Sequence, residues 1–236
     1  LTAYNNLINF SGYNIEEKKM KLKNKIAVVT GAGRGIGESI AYAFAEEGAD
    51  LILAARTRQE LDRVADAIKA KNRNAIAITC DVSSPTEVRK LAAGAGKHFG
   101  RVDILVNNAG ISKRSKLLEY DDDTWLEVIR VNLFGVYLCS KAFLPIMQKA
   151  GSGRIINIAS TAGKAPVPFN TAYSASKHGV LGFTKSLASE VALSGFPAIT
   201  VNAVCPFFVD TEMFRGPGGY LAQMAKMAGI SENEVQ

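Results

Sequence analysis

A chain of 236 residues that is 47% apolar and 21% charged, with net charge +6, can bury a sizeable core in one large α/β domain or two small ones. Its three scattered cysteines (Cys80, Cys139, Cys205) and its two histidines (His98, His178), which lack ligand-spaced partners, argue against a disulfide framework or a metal centre and for a reducing, cytoplasmic setting. No uninterrupted apolar run nears the roughly 20 residues of a membrane span, and the cluster Lys18, Lys19, Lys21, Lys23 and Lys25 lacks the interleaved aromatics of a nucleic-acid surface, so neither partner is expected.

In chain order, residues 1–20 carry no secretory pattern and read as a flexible N-terminal extension ahead of one domain at 21–236. The β-branched run Ile26–Thr30 leads through a glycine-rich turn into a helix from about Ile36 to Glu47. Leu51–Ala55 is the next strand, followed by a helix from about Gln59 to Lys71, and then by strands at Ala75–Thr79 and Ile104–Asn107. A helical stretch at Trp125–Met147 precedes the strand Arg154–Ala159; Tyr173 opens another helix, and Ile199–Val204 is the last predicted strand. Strands separated by helices mean right-handed crossovers and a doubly wound, mostly parallel α/β sheet, the Rossmann fold.

Between the first strand and its helix lies Gly31-Ala-Gly33-Arg34-Gly35-Ile36-Gly37. Backbone approaches a pyrophosphate closely only where side chains are absent, and a helix N-terminus adds free N–H donors and partial positive charge. The strand–turn–helix context therefore predicts a dinucleotide site. An NAD site usually has a carboxylate at the end of the second strand for the ribose hydroxyls; here Ala55 stands there, followed by Arg56. Asp50 starts that strand, and five residues at about 3.3 Å each put it roughly 16 Å from the ligand edge. Arg34 and Arg56 instead suit a 2′-phosphate, which predicts NADP (NADPH) as cofactor.

Tyr173 and Lys177, at i and i+4 of a helical pattern, share one face. An ammonium beside a phenol favours phenolate and lowers its pKa from about 10, which readies Tyr173 to give a proton to a carbonyl oxygen or take one back. Ser160 ends the strand Arg154–Ala159, Asn107-Asn108-Ala109-Gly110 ends another, and Asn132 lies inside the Trp125–Met147 stretch. An isolated Asn within a helix is usually solvent-facing or a local packing choice.

Together, Thr30-Gly31-x₃-Gly35-Ile36-Gly37, Asn107–Gly110, Asn132, Ser160 and Tyr173-x₃-Lys177 resemble the short-chain dehydrogenase/reductase family, from about Lys21 to Gly229. The resemblance implies that Tyr173 is the general acid/base and that Lys177 lowers its pKa and binds the nicotinamide ribose. It implies further that Ser160 bonds the substrate oxygen and that Asn132 holds a water relaying protons through Lys177. Asp81 and Val82 match the family's adenine contact, Asn107 and Ala109 the strand that backs the cofactor, and Pro206, Val209 and Thr211 the segment at its carboxamide and phosphates. No metal is implied.

Arg154–Lys164, Tyr173–Val180 and Val201–Pro206 are similar to the 3-oxoacyl-acyl-carrier-protein reductases and polyketide ketoreductases, which implies reduction of a β-keto thioester. A hydroxy-acid, sugar or secondary-alcohol dehydrogenase remains open, because pocket residues choose the substrate, as does a non-catalytic dinucleotide sensor or scaffold. Lys113, Arg114 and Lys116 suit an acidic carrier protein or a coenzyme A phosphate, and equally a solvated loop. Phe207 stands where the family has the glycine that lies against the nicotinamide, and it either crowds that contact or points away. Pro217–Gly229 resembles a mobile lid, with Met224 and Met227 lining a pocket or simply packing. Ser231-Glu-Asn-Glu234 is a capping box that should open a helix, yet the chain closes at Gln236. The expectation is a domain lacking the family's last helix and strand, with an exposed edge strand and a homotetramer only for the full-length protein.

Overall fold

The computed structural model describes residues 20–234; all but the last residue of the predicted extension at 1–20 lies outside them. The strands are β1 (Ile26–Thr30), β2 (Asp50–Ala55), β3 (Ala75–Thr79), β4 (Ile104–Asn107), β5 (Gly153–Ile158) and β6 (Ile199–Val204). They form one parallel sheet in the order β3-β2-β1-β4-β5-β6. Period-two alternation sorts their side chains into two cores. Val28, Ile52, Leu105 and Ile155 pack on one face, and Ala27, Val29, Leu51, Leu53 and Val106 on the other. Strands buried on both faces read as continuous apolar runs, as IAVVT does here.

Helices α1 (Gly35–Glu46), α2 (Arg58–Lys69), α3 (Pro85–Phe99), α4 (Asp122–Ile129), α5 (Gly135–Ala150) and α6 (Thr171–Leu193) cross between strands. Local chemistry sets their ends. Ser84 accepts from Glu87 N–H ahead of Pro85 at the start of α3, and Gly100 closes that helix at φ +70°. Asp121 Oδ2 accepts from Thr124 N–H at 2.8 Å to start α4. Two short helices follow β6, α7 (Glu212–Arg215) and α8 (Tyr220–Ala228). Predicted boundaries moved by a residue or two: β5 begins at Gly153, because the ladder with β6 pairs Gly153 with Ile199 and ends at Ile158 with Val204. The capping box is half realised, Glu234 Oε2 accepting from Ser231 N–H at 2.8 Å over a single 3₁₀ turn, Glu232–Glu234.

Asp122–Ala150 is a continuous helix of 29 residues, long and apolar enough in composition to cross a bilayer, although no uninterrupted apolar run betrays it. Val131, Cys139, Phe143 and Met147 on its inner face pack against Leu105 of β4 and Ile155 of β5, so it serves as a core helix of the sheet.

The order reverses between β1 and β4, each running outward from the middle of the sheet. In such sheets the crevice at the carboxyl ends of the strands, at this switch point, receives ligands.

Candidate active site

Thr30, the last residue of β1, fastens the switch point. Its buried hydroxyl donates to Val106 O at 3.3 Å and accepts from the N–H groups of Asn108 (3.0 Å) and Ala109 (3.1 Å). Asn108 Nδ2 returns hydrogen bonds to Thr30 O (3.0 Å) and Gly31 O (3.2 Å). Gly31 sits at φ +63°, and a Cβ there would lie 2.9 Å from Ala109 Cα. A side chain at Gly37 would strike Gly31 O and Asn108 Nδ2. The glycines are thus required by the close approach of turn, helix and β4 loop, which keeps the rim of the turn glycine-rich. Asn108, unlike Asn107 and Ala109, has no role predicted from the sequence, where the Asn-Asn doublet is its one signal.

A cavity of about 550 Å³ runs from this turn along the carboxyl edge of the sheet. At one end it is walled by Gly31, Gly33, Arg34, Gly35 and Ile36, with Arg56 from the end of β2 and Asp81 and Val82 after β3. Ala109 lines the middle, Pro206, Val209 and Thr211 close one side, and Ser160, Tyr173 and Lys177 form the far end. Gly37, Asn107 and Asn132 are outside the wall. Asn107 points into the core, where its Nδ2 donates to Asn157 Oδ1 (2.9 Å) and Ser140 Oγ (3.2 Å). Asp50, at the far edge, accepts from Asn74.

At the turn end, Arg34 Nη1 lies 2.7 Å from Glu212 Oε2 and 3.9 Å from Glu60 Oε1. Glu60, on the first turn of α2, went unnoticed in the sequence. A Cβ on Gly33 would lie 2.7 Å from its Oε2, so a carboxylate does line the turn end of the cavity, supplied by the helix after β2 instead of the strand end.

At the other end, α6 carries both Tyr173 and Lys177, and the Lys177 Nζ is 5.5 Å from the Tyr173 ring centre. That ammonium is buried and donates to Ile158 O at 2.7 Å. Burial lowers its pKa to about 8. Tyr173 departs from the sequence expectation: burial raises its pKa above the ordinary value, opposed by a hydrogen bond with Ser160 and by the positive charge of Arg114. The phenol is therefore protonated at neutral pH. Ser160, two residues beyond β5, accepts from Ala162 N–H at 3.1 Å, which leaves its own proton for another oxygen.

Asn132 is fully buried in a π-helical turn, Arg130–Phe134, between α4 and α5. Its Oδ1 accepts from Ile111 N–H (2.8 Å), and its Nδ2 donates to Ile111 O (2.9 Å) and Ser176 Oγ (3.1 Å). A Cβ on Gly110 would lie 3.3 Å from Asn132 Oδ1 and 3.7 Å from Lys177 Nζ, so both groups meet behind Gly110. The wider turn of a π-bulge aims a side chain inward that a regular helix would carry past.

Phe207 is 72% exposed, tilts against Phe208 with ring centres 4.4 Å apart, and lines the cavity beside Pro206. The basic trio after β4 divides. Lys113 and Arg114 both line the cavity, Lys113 exposed and Arg114 partly buried, whereas Lys116 is exposed and outside the wall. In the lid-like segment Tyr220 and Gln223 line the cavity, and Met224 and Met227 do not.

The sequence profile of the short chain dehydrogenase family matches residues 25–217. The 3-oxoacyl-[acyl-carrier-protein] reductase FabG of Pseudomonas aeruginosa is 43% identical over 196 residues, covering 83% of this chain and 78% of its own. The 3-oxoacyl-[acyl-carrier-protein] reductase of Synechocystis is 44% identical over 193 residues, covering 81% and 77%. A variant of actinorhodin polyketide ketoreductase crystallised with NADPH superposes with a TM-score of 0.82 at 40% identity, covering 90% of this chain and 80% of that one. A short-chain dehydrogenase/reductase from Burkholderia phymatum in complex with NAD does so with a TM-score of 0.79 at 35% identity, covering 81% and 68%. The matched stretch contains the glycine turn and the Tyr173–Lys177 face alike, and the chain belongs to the short-chain dehydrogenase family.

Proposed function

We propose that this chain reduces the ketone of a 3-oxoacyl thioester to a secondary alcohol with NADPH. The observation that carries the reading is a single cavity with Ser160, Tyr173 and Lys177 at one end and the glycine turn with Arg34 and Arg56 at the other. The residues present fit a dinucleotide: a glycine-rich rim at the α1 N-terminus suits a pyrophosphate, and two guanidinium groups suit a 2′-phosphate. NADPH, when bound, supplies the hydride that reduces the carbonyl carbon.

The protein's own groups handle the oxygen. Ser160 donates to the ketone oxygen and orients it. Tyr173, kept protonated by burial, transfers its proton to that oxygen, so hydride on carbon and proton on oxygen together convert C=O to CH–OH. The phenolate left behind is stabilised by the Lys177 ammonium at its ring, and Lys177 and Asn132 lead back to the proton supply. The names of the Pseudomonas and Synechocystis relatives support the 3-oxoacyl class, and the ketoreductase crystallised with NADPH supports the cofactor. Acyl carrier protein is then a natural partner, meeting the exposed Lys113 and Lys116, and a homo-oligomer in a reducing cytoplasm completes the proposal.

Glu60 favours a second reading, in which the carboxylate beside Gly33 takes ribose hydroxyls and NADH serves as well. Steady-state reduction of an acetoacetyl thioester with each cofactor separates the two. Charge-assisted hydrogen bonds to a phosphate are strong, so the Arg34→Ala/Arg56→Ala double variant is expected to raise the KM for NADPH by about tenfold or more. The KM for NADH is expected to move far less. Equal use of NADH and NADPH by the unmodified protein would sink the NADPH assignment.

A further inference from the structure

The cavity contains a cation for which ketone reduction has no evident task. Arg114, on the loop after β4, is partly buried in the cavity wall. Its guanidinium carbon lies 4.4 Å over the ring of Tyr220 on α8, and its Nη1 donates to Pro168 O at 3.3 Å and lies 3.9 Å from Met224 Sδ. Burial pulls its pKa down. Of the other basic residues lining the cavity, Arg34 pairs with Glu212 and Lys177 donates to Ile158 O, while Arg56 and Lys113 lack a carboxylate partner among the described residues but are exposed to solvent. Among the described residues Arg114 has none within 4.0 Å.

A guanidinium has five N–H donors in a rigid fork, and taking one out of water without an anionic or oxygen partner is costly. Stacking on Tyr220 holds the fork's plane, and the Pro168 carbonyl occupies one edge. Donors remain for something that enters the cavity. Arg114 is also close enough to Tyr173 for its charge to act on the phenol, so a group bound to it lies beside the reacting carbonyl.

We propose that Arg114 is a specificity-determining residue that takes the second oxygen of a 3-oxo substrate, the acyl C=O or carboxylate two carbons from the ketone, while Ser160 and Tyr173 take the first. The inference rests on the ketone-reductase reading above and sharpens it. The site selects β-dicarbonyl compounds over simple ketones, and the shared chemistry is an oxygen acceptor at the acyl carbon, offered by a thioester or by a free 3-oxo acid.

Three substrates with NADPH test this: an acetoacetyl thioester, acetoacetate, and 2-pentanone, which lacks the second oxygen. Arg114→Met is expected to lower kcat/KM for at least one of the two dicarbonyl substrates by about tenfold more than for 2-pentanone. Arg114→Lys, which keeps the charge but not the fork, is expected to recover part of that loss. A loss confined to acetoacetate identifies the carboxylate as the occupant; a loss on the thioester identifies the acyl carbonyl. An equal proportional change on all three substrates, or no change on any, would overturn the proposal.

Should the unmodified protein reduce none of the three, the reductase reading fails on its own account, and calorimetric binding of acetoacetate still decides the role of Arg114. Binding weakened about tenfold in Arg114→Met supports it. Binding that is absent from the unmodified protein, or the same in both, overturns it.

Discussion

Replacing Tyr173 by Phe is expected to cut turnover by about two to four orders of magnitude, the range of positioned general-acid catalysis. The substitution keeps the ring, and with it the packing over Lys177 at 5.5 Å; what it removes is the proton and the hydrogen bond with Ser160. Cofactor affinity, measured by NADPH fluorescence, should change by less than about threefold, since the ring is retained and only one hydrogen bond is lost. A large fall in kcat with near-constant cofactor binding is the signature of an interaction made in the transition state. If Tyr173→Phe kept a tenth or more of the activity, the proton would have to come from elsewhere.

Lys177→Met is expected to lose turnover and, separately, to change how stability depends on pH. The Lys177 ammonium is buried, with a folded pKa of about 8, whereas the unfolded chain titrates near 10.4. Between those values the unfolded state binds a proton that the folded state lacks, so Lys177 makes stability rise with pH across that window. Below about 8 both states are charged and the folded protein bears the full burial penalty, on the order of 3 kcal/mol from the separation of the two pKa values. Methionine removes the charge and also leaves Ile158 O without its donor, which offsets part of the gain at neutral pH. The pH dependence is the cleaner readout: unfolding free energies of the two proteins, subtracted at each pH, should slope between pH 8 and 10.5 and be flat below it. A flat difference throughout would mean that Lys177 is not held as a buried ammonium. The proposed catalytic site is thus a place where the fold bears a stability cost to keep a charge beside the Tyr173 phenol.

What the sequence made legible follows from what is local. The glycine turn can be read because Gly31 and Gly37 face backbone within a few residues of chain or across one strand pair, and no other residue fits there. Strands β1, β3, β4 and β6 have the predicted ends, since an apolar run buried on both faces has abrupt limits. The cavity-lining role of Ser160, Tyr173 and Lys177 was legible through family resemblance, which encodes long-range geometry that spacing alone does not.

Features set by tertiary contact were harder to read. Asn132 reads as an ordinary helical Asn because its π-helical turn is fixed by partners at Ile111 and Ser176, far away in the chain. Lys113, Arg114 and Lys116 look interchangeable, yet only Arg114 meets Tyr220, whose position depends on how α8 folds back. Glu60 is not legible as a lining residue because it stands on the first turn of α2, past the strand end where such a carboxylate usually sits. The 29-residue helix escaped a search for unbroken apolar runs because Glu127, Arg130 and Lys141 interrupt its sequence while leaving the face toward β4 and β5 apolar. Desolvation reversed the expected shift at Tyr173, and burial of that depth is a property of the closed fold, not of Tyr-x₃-Lys spacing.

The central claim, that this cavity joins an NADPH hydride to the carbonyl carbon of a 3-oxo substrate under a Tyr173 proton, is tested most directly by isotope transfer. NADPH deuterated at the transferable position of its nicotinamide would be incubated with an acetoacetyl thioester and the protein, and the product examined by mass spectrometry and NMR. One deuterium on the carbinol carbon of the 3-hydroxyacyl product, absent when Tyr173→Phe replaces the unmodified protein, is the predicted result. No labelled product, or label distributed to solvent or to the carbon between the two carbonyls, would contradict the account.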